Sequence, residues 1–155
     1  MSFSGKKEYE YKGKFKYGVA RIKENGKWGL INSNGEQVLP PEFEEIVTLS
    51  FNNGLMGVKI DGKWGLADHN GDEIVPAIYD DIFPYYGRFG ISKVKKNNSW
   101  GLINKEGKVI TSIEYDKIES FGRGLALKRS DGHWDFIQTS GSKKDIVTSL
   151  KKINN

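Results

Sequence analysis

Four tryptophans, at positions 28, 64, 100 and 134, are separated by steps of 36, 36 and 34 residues, and each sits in a copy of one short segment. The first copy reads Gly26-Lys27-Trp28-Gly29-Leu30-Ile31-Asn32, and the next two are Gly62-Lys63-Trp64-Gly65-Leu66-Ala67-Asp68 and Asn98-Ser99-Trp100-Gly101-Leu102-Ile103-Asn104. The last, Gly132-His133-Trp134-Asp135-Phe136-Ile137-Gln138, has diverged most. A unit of this length cannot bury an apolar face by itself, so neighbouring copies must stack to make a core. The period therefore dictates a tandem-repeat architecture before any single residue is considered.

The columns of the repeat specify strands and turns. Asn25-Gly26, Asp61-Gly62, Asn97-Asn98 and Asp131-Gly132 precede the tryptophans. Such pairs between apolar runs mark two-residue hairpins, because a type I′ turn needs positive φ at both positions. A second glycine follows each Trp by seven residues (Gly35, Gly71, Gly107, Gly141) and marks another turn. Each unit thus reads as a three-stranded meander, with strands Gly18–Glu24, Lys27–Ser33 and Glu36–Leu39 in the first copy. A third block (Phe43-Glu44-Glu45-Ile46, Tyr79-Asp80-Asp81-Ile82, Tyr115-Asp116-Lys117-Ile118) reads as a turn or single helical turn leading to the next unit. Pro40 and Pro76, just before it, are expected to end the third strand.

Counted from the aromatic of that block, the single domain 1–155 holds units at about 9–42, 43–78, 79–114 and 115–141, followed by a C-terminal cap, 142–155. Within the cap, Ile146, Leu150 and Ile153 have helical spacing, which predicts a short amphipathic helix or an irregular closure of the stack. The fold expected is all-β: meanders of about 36 residues stacked as a short solenoid. A four-bladed, propeller-like closed ring is the alternative, disfavoured because the unit is short for a four-stranded blade.

A two-residue turn sets the residue five before each Trp directly across from it. Those positions hold Lys23, Lys59, Lys95 and Arg129, so each indole is expected to carry a cation on its own face. The glycine after Trp leaves the other face open to close approach by a neighbouring strand.

Gly-Lys-Trp-Gly-Leu-Ile followed by glycine, an apolar-Pro step and Tyr-Asp-x-Ile resembles the signature of the WG-repeat family of bacterial proteins, over roughly Tyr9 to Gly141. The resemblance implies an all-β repeat module used for binding in many contexts. It implies no shared reaction and no catalytic residue.

The residues themselves point the same way. There is no cysteine, which removes disulfides and thiolate chemistry, and His69 and His133 fall in different repeat registers, which reads as surface placement. Glu44, Glu45, Asp80, Asp81 and Asp116 recur in every unit, whereas a catalytic carboxylate pair needs two unlike environments. They read as turn caps or lysine partners. No phosphate loop, nucleophile elbow or metal-ligand spacing occurs, so the expectation is a non-enzymatic chain with no cofactor and no metal.

Two features are candidates for contact with a partner. Tyr85, Tyr86, Arg88 and Phe89 gather in one inter-unit connection and match the composition of interface hot spots. The column Lys23, Lys59, Lys95 and Arg129 lines the first strands. Together they suggest a protein–protein interaction module, conceivably an inhibitor or immunity-type partner of another factor. The alternatives are glycan or cell-wall binding through exposed tryptophans, and nucleic-acid binding along the basic column, which the net charge of +4 permits without requiring. With no signal-like h-region and no long apolar run, the expected location is cytoplasmic, without membrane association.

Overall fold

The computed structural model describes residues 7–48, 55–83, 91–122, 124–138 and 150–153. These residues form fifteen strands and no helix. The first sheet comprises β1 (Tyr11–Lys12), β2 (Val19–Glu24), β3 (Lys27–Asn32) and β4 (Gln37–Phe43), in that order. The second comprises β5 (Glu45–Thr48), β6 (Met56–Ile60), β7 (Lys63–Ala67) and β8 (Glu73–Tyr79). The third has seven strands: β9 (Asp81–Phe83), β10 (Ile91–Lys96), β11 (Ser99–Asn104), β12 (Val109–Phe121), β13 (Gly124–Arg129), β14 (Trp134–Gln138) and β15 (Leu150–Ile153). All pairings are antiparallel between sequence neighbours, as expected of meanders.

The Trp-containing hairpins form as the sequence predicts in three units. Asn25, Gly26, Asp61, Gly62, Asn97 and Asn98 all have positive φ, between 50° and 76°. Lys23 pairs with Trp28, Lys59 with Trp64 and Lys95 with Trp100.

Each unit has four strands, not three. The aromatic-acidic block is neither a turn nor a helical turn; it is extended. β4 bends at Glu44 into β5, β8 bends at Asp80 into β9, and β12 continues as one strand through Tyr115 and Asp116, with a register shift there. One long strand therefore closes one unit's sheet and opens the next. The corner is fixed by backbone bonds of Glu10, Glu44 and Asp80 N–H to the carbonyls of Lys23, Lys59 and Lys95, at 2.8–2.9 Å.

Pro40 and Pro76 do not end the third strand. Between Trp64↔Tyr79 and Leu66↔Val75, β7 advances two residues while β8 advances four, so β8 bulges over Gly65; β4 bulges likewise over Gly29. A bulge leaves residues without a ladder partner, which is where proline is tolerated. A methyl group on Gly65 would stand 2.4 Å from the Val75 carbonyl oxygen and 2.8 Å from the Ala77 nitrogen. The glycine after Trp is thus required by the strand lying across it.

The apolar clusters show how units stack. Val19, Leu30 and Leu39 of the first unit pack with Ile46, Met56, Val58 and Ala67 of the second. Leu66 and Val75 meet Ile82, Val94 and Ile103 of the third. Ile91 and Leu102 meet Ile118, Leu125, Leu127 and Ile137 of the fourth. The Trp-bearing face of each sheet therefore meets the opposite face of the following one. The outer face of the first unit carries Ala20, Ile22 and Ile31 with Tyr9 against them, and this cluster contains no residue of the fourth unit. That arrangement is a tandem stack without closure into a barrel.

The amphipathic helix expected in the cap does not form where the cap is described. Leu150–Ile153 is strand β15, paired with β14 in a register without shifts. The unpaired edge of β14 is a stronger demand on this segment than its helical spacing.

Candidate functional site

The tryptophans are half-buried, and cations surround them. The Lys23, Lys59 and Lys95 amines lie 5.2, 5.7 and 5.4 Å from the ring centroids of Trp28, Trp64 and Trp100. Arg21 and Lys93, two residues earlier on their strands, approach closer still, at 4.7 and 4.4 Å. Tyr11 packs edge-on to Trp28 and Phe83 is tilted against Trp100. Trp28 and Trp100 are therefore each flanked by two cations and a second ring.

Arg129 breaks the expected column. The fourth hairpin has a longer loop, with Arg129 N–H donating to the His133 carbonyl and Gly132 N–H to the Arg129 carbonyl. Lys128 consequently pairs with Trp134, its amine 5.9 Å from the ring, and Arg129 turns to the opposite face. There Arg129 Nε donates to Asp135 at 2.8 Å, Nη1 to Glu114 at 2.7 Å and Nη2 to the Tyr115 hydroxyl at 3.2 Å. The Tyr115 hydroxyl donates to Asp135 at 2.7 Å, and Asp135 is 1% exposed. Burial, then the bond to Asp135, push the Tyr115 hydroxyl far above its ordinary pKa. Asp135 occupies the column of Gly29, Gly65 and Gly101. It fits because β15 pairs with β14 without a bulge, so no backbone crosses the position. This network holds the third and fourth units together and offers nothing to a ligand.

Of the repeated carboxylates, Glu44 and Asp80 are turn caps, and Glu10 holds the same place in the first unit. Glu10, Glu44 and Asp80 accept the backbone N–H of Gly26, Gly62 and Asn97, and Asp80 also pairs with Lys63. The Lys63 bond, followed by the Asn97 N–H, draws the Asp80 carboxyl below its usual range. A second set went unnoticed as a column: Asn32, Asp68 and Asn104 each accept two N–H groups of the following turn, at 2.8–3.0 Å. Its signal was a side-chain oxygen at a constant four residues after Trp. Among the described residues, no group of three or more His, Cys, Asp or Glu is placed to hold a metal ion.

Tyr85, Tyr86, Arg88 and Phe89 lie outside the described residues. The corresponding connection of the first unit is described, and the sequence reading passed over it. Tyr11-Lys12-Gly13-Lys14-Phe15-Lys16-Tyr17 alternates aromatics with lysines, which was the available signal. Lys16 and Val19 exchange backbone bonds of 2.8 and 3.1 Å around Tyr17 and Gly18, whose φ values are 54° and 80°. A tyrosine in the left-handed region is uncommon and strained. Tyr11, Phe15 and Tyr17 are 47%, 43% and 58% exposed, so each of the three aromatic rings presents about half its surface. Beneath it lies a cleft of about 420 Å³ lined by Tyr11, Gly13, Lys14, Lys16, Val19, Arg21, Leu30 and Val47.

The fold and these columns define a tandem four-stranded β-repeat whose recurring polar residues are spent on its own turns. A model of the family described as WG containing repeat matches residues 6–28, 28–64, 64–100 and 100–134 consecutively, and the chain belongs to that family. No curated protein matches the chain. Among the described residues, no helix is long and apolar enough to cross a membrane.

Proposed function

We propose that the chain is a non-enzymatic binding module that engages another protein, with the first-unit hairpin and its flanking cations as the principal contact. The observation that carries this reading is the strained hairpin presenting Tyr11, Phe15 and Tyr17 beside Lys12, Lys14 and Lys16. Exposed aromatics next to flexible cations supply rigid contact area and steering charge, the usual composition of an interface centre and rim. The half-buried ladder of Lys23, Lys59 and Lys95 extends the basic surface along the stack. A role as inhibitor or immunity-type partner in the cytoplasm accords with a small module whose carboxylates are committed to turns. The glycan reading is weaker, since a sugar needs an open indole face and Trp28 and Trp100 are flanked by cations and a second ring.

The test is capture of partners from nuclease-treated lysate of the source organism, by wild type and by a Phe15→Ser/Tyr17→Asn variant. Asparagine tolerates the left-handed conformation, so the turn survives. A protein retained by wild type and lost by the variant, at equal thermal stability, is the expected result. Equal capture by both would refute the assignment.

A further inference from the structure

We infer that the cleft under the first-unit hairpin is a recognition site for an acidic-apolar peptide segment: a carboxylate set among Lys14, Lys16 and Arg21, with the neighbouring apolar side chain laid on Tyr11 and Val47. The inference rests on the protein-binding reading above and names the chemistry its partner must present.

The cleft has the dimensions of a ligand site, its roughly 420 Å³ falling at the low end of the range for small-molecule and side-chain pockets. Leu30, fully buried, and Val19, nearly so, back the cleft from the core, and the apolar surface open to a ligand is the partly exposed Val47 of the second unit. Its wall is Tyr11, and its mouth carries Lys14 and Lys16. Three cations and no acid line it. Among the described residues, no carboxylate lies within ion-pair distance of Lys14, Lys16 or Arg21. Elsewhere in this chain lysines do find acids: Lys7 pairs with Glu24, Lys63 with Asp80 and Lys117 with Glu119.

Arg21 is already fixed in place. One Nη1 N–H donates to the Ile46 carbonyl at 2.9 Å and the guanidinium stacks over Trp28. A guanidinium has five N–H donors in a rigid fork, so an anchored Arg21 still has donors to offer an incoming anion. The hairpin that places the lysines is locked by the Lys16–Val19 bonds and the left-handed Tyr17, which limits the ordering cost of binding.

Apolar surface beside a ring of cations selects a ligand with both characters. A phosphodiester backbone would satisfy Lys14, Lys16 and Arg21 but leave the half-exposed Tyr11 ring and the partly exposed Val47 uncovered. An acidic residue followed by leucine or phenylalanine satisfies both. The position of Arg21, seven before Trp, is Gly57 in the second unit and Leu127 in the fourth, while the third unit has Lys93, which likewise stacks on its Trp and donates to the Ile118 carbonyl, at 3.4 Å.

The experiment titrates purified full chain with the capped peptide Ac-Glu-Leu-Glu-Phe-amide and with its Gln-Leu-Gln-Phe counterpart. Binding is followed by amide NMR shifts and by Trp fluorescence. The acidic peptide is expected to bind with shifts centred on Gly13–Val19, Arg21 and Val47, and the neutral peptide to bind about tenfold more weakly if two exposed charge pairs are lost. A Lys14→Gln/Lys16→Gln variant, altered only at exposed side chains, is expected to show the same loss with an unchanged unfolding midpoint. Equal binding of both peptides, or no effect of the double variant, overturns the inference. So does preferential binding of an oligothymidylate probe with a steep salt dependence, which would assign the cleft to nucleic acid. If neither peptide binds while lysate capture still depends on Phe15 and Tyr17, the cleft assignment fails and the protein-binding reading stands.

Discussion

Replacing Gly65 with alanine tests why this repeat carries glycine after tryptophan. The added methyl would sit 2.4 Å from the Val75 carbonyl oxygen and 2.8 Å from both the Ala77 nitrogen and the Pro76 carbonyl carbon. All three are backbone atoms of β8, held at either end by the pairs Trp64↔Tyr79 and Leu66↔Val75. Relief requires β8 to move by the better part of an ångström, against an anchored bulge. Overpacking of this kind costs about 1–3 kcal/mol, and rigid backbone on every side places Gly65→Ala near the top. Alanine's advantage over glycine in a strand offsets about 0.5–1 kcal/mol. The net loss is then about 2 kcal/mol, or roughly 4–8 °C in Tm for a domain of this size. Gly101 supplies a milder case, because its nearest obstacle is the Ile113 Cγ1 atom at 2.7 Å, a side-chain atom that can rotate away, and the backbone stands farther off, with Ile113 Cα at 2.9 Å and Ser112 O at 3.1 Å. Gly101→Ala is expected to lose less than half as much. Urea unfolding followed by Trp fluorescence and far-UV circular dichroism reads both. If Gly65→Ala is as stable as wild type, or Gly101→Ala is the worse of the two, backbone approach is not the reason for the glycine.

Two further outcomes follow from buried polar groups. The Ser92 hydroxyl is buried with no hydrogen-bond partner among the described residues, and the equivalent positions of the first and second units hold the apolar Ala20 and Met56; Ser92→Ala should raise stability by about 1 kcal/mol, read as a higher urea midpoint at unchanged m-value. Burial raises the Tyr115 and Tyr79 hydroxyl pKa values, so the folded state holds protons that the unfolded chain releases above about pH 10. That stability is complete below pH 10 and is lost as pH climbs toward the folded values. Tyr115→Phe, although less stable at neutral pH, should show a shallower alkaline decline, and an unchanged slope would mean that Tyr115 is not the titrating group.

The sequence carried the architecture because each strand and hairpin is written in local chemistry. Asn25-Gly26 needs no knowledge of the rest of the chain to specify its turn, and the Trp spacing fixes the unit. What was not legible depended on geometry between strands. The bulge that admits Pro40 and Pro76 is a register shift against β3 and β7, and nothing in a linear reading of β4 reveals it. The fourth strand of each unit was hidden because the corner at Glu44 or Asp80 looks like a turn until its backbone bonds to Lys59 and Lys95 are seen. Arg129 was misplaced by one residue of loop length, enough to move its side chain from the Trp134 face to the buried Asp135. The Tyr11–Tyr17 hairpin was legible in composition, as three lysines alternating with aromatics. Its cleft was not, since Val47 is supplied by the neighbouring unit.

The unbroken strand β12 gives the stack a mechanical polarity. At Glu44 and Asp80 the chain bends between sheets, so tension can be released there one unit at a time. The thirteen residues of β12 cross the third corner as one continuous strand, with a register shift between Tyr115 and Lys117, and its outgoing half pairs with β13 as its incoming half pairs with β11. The last two units therefore share one rope. Pulled from the two ends, the chain should yield in two short steps from the amino-terminal side and one long step from the other. A repeat built of equal lengths of sequence would then come apart in unequal lengths of extension.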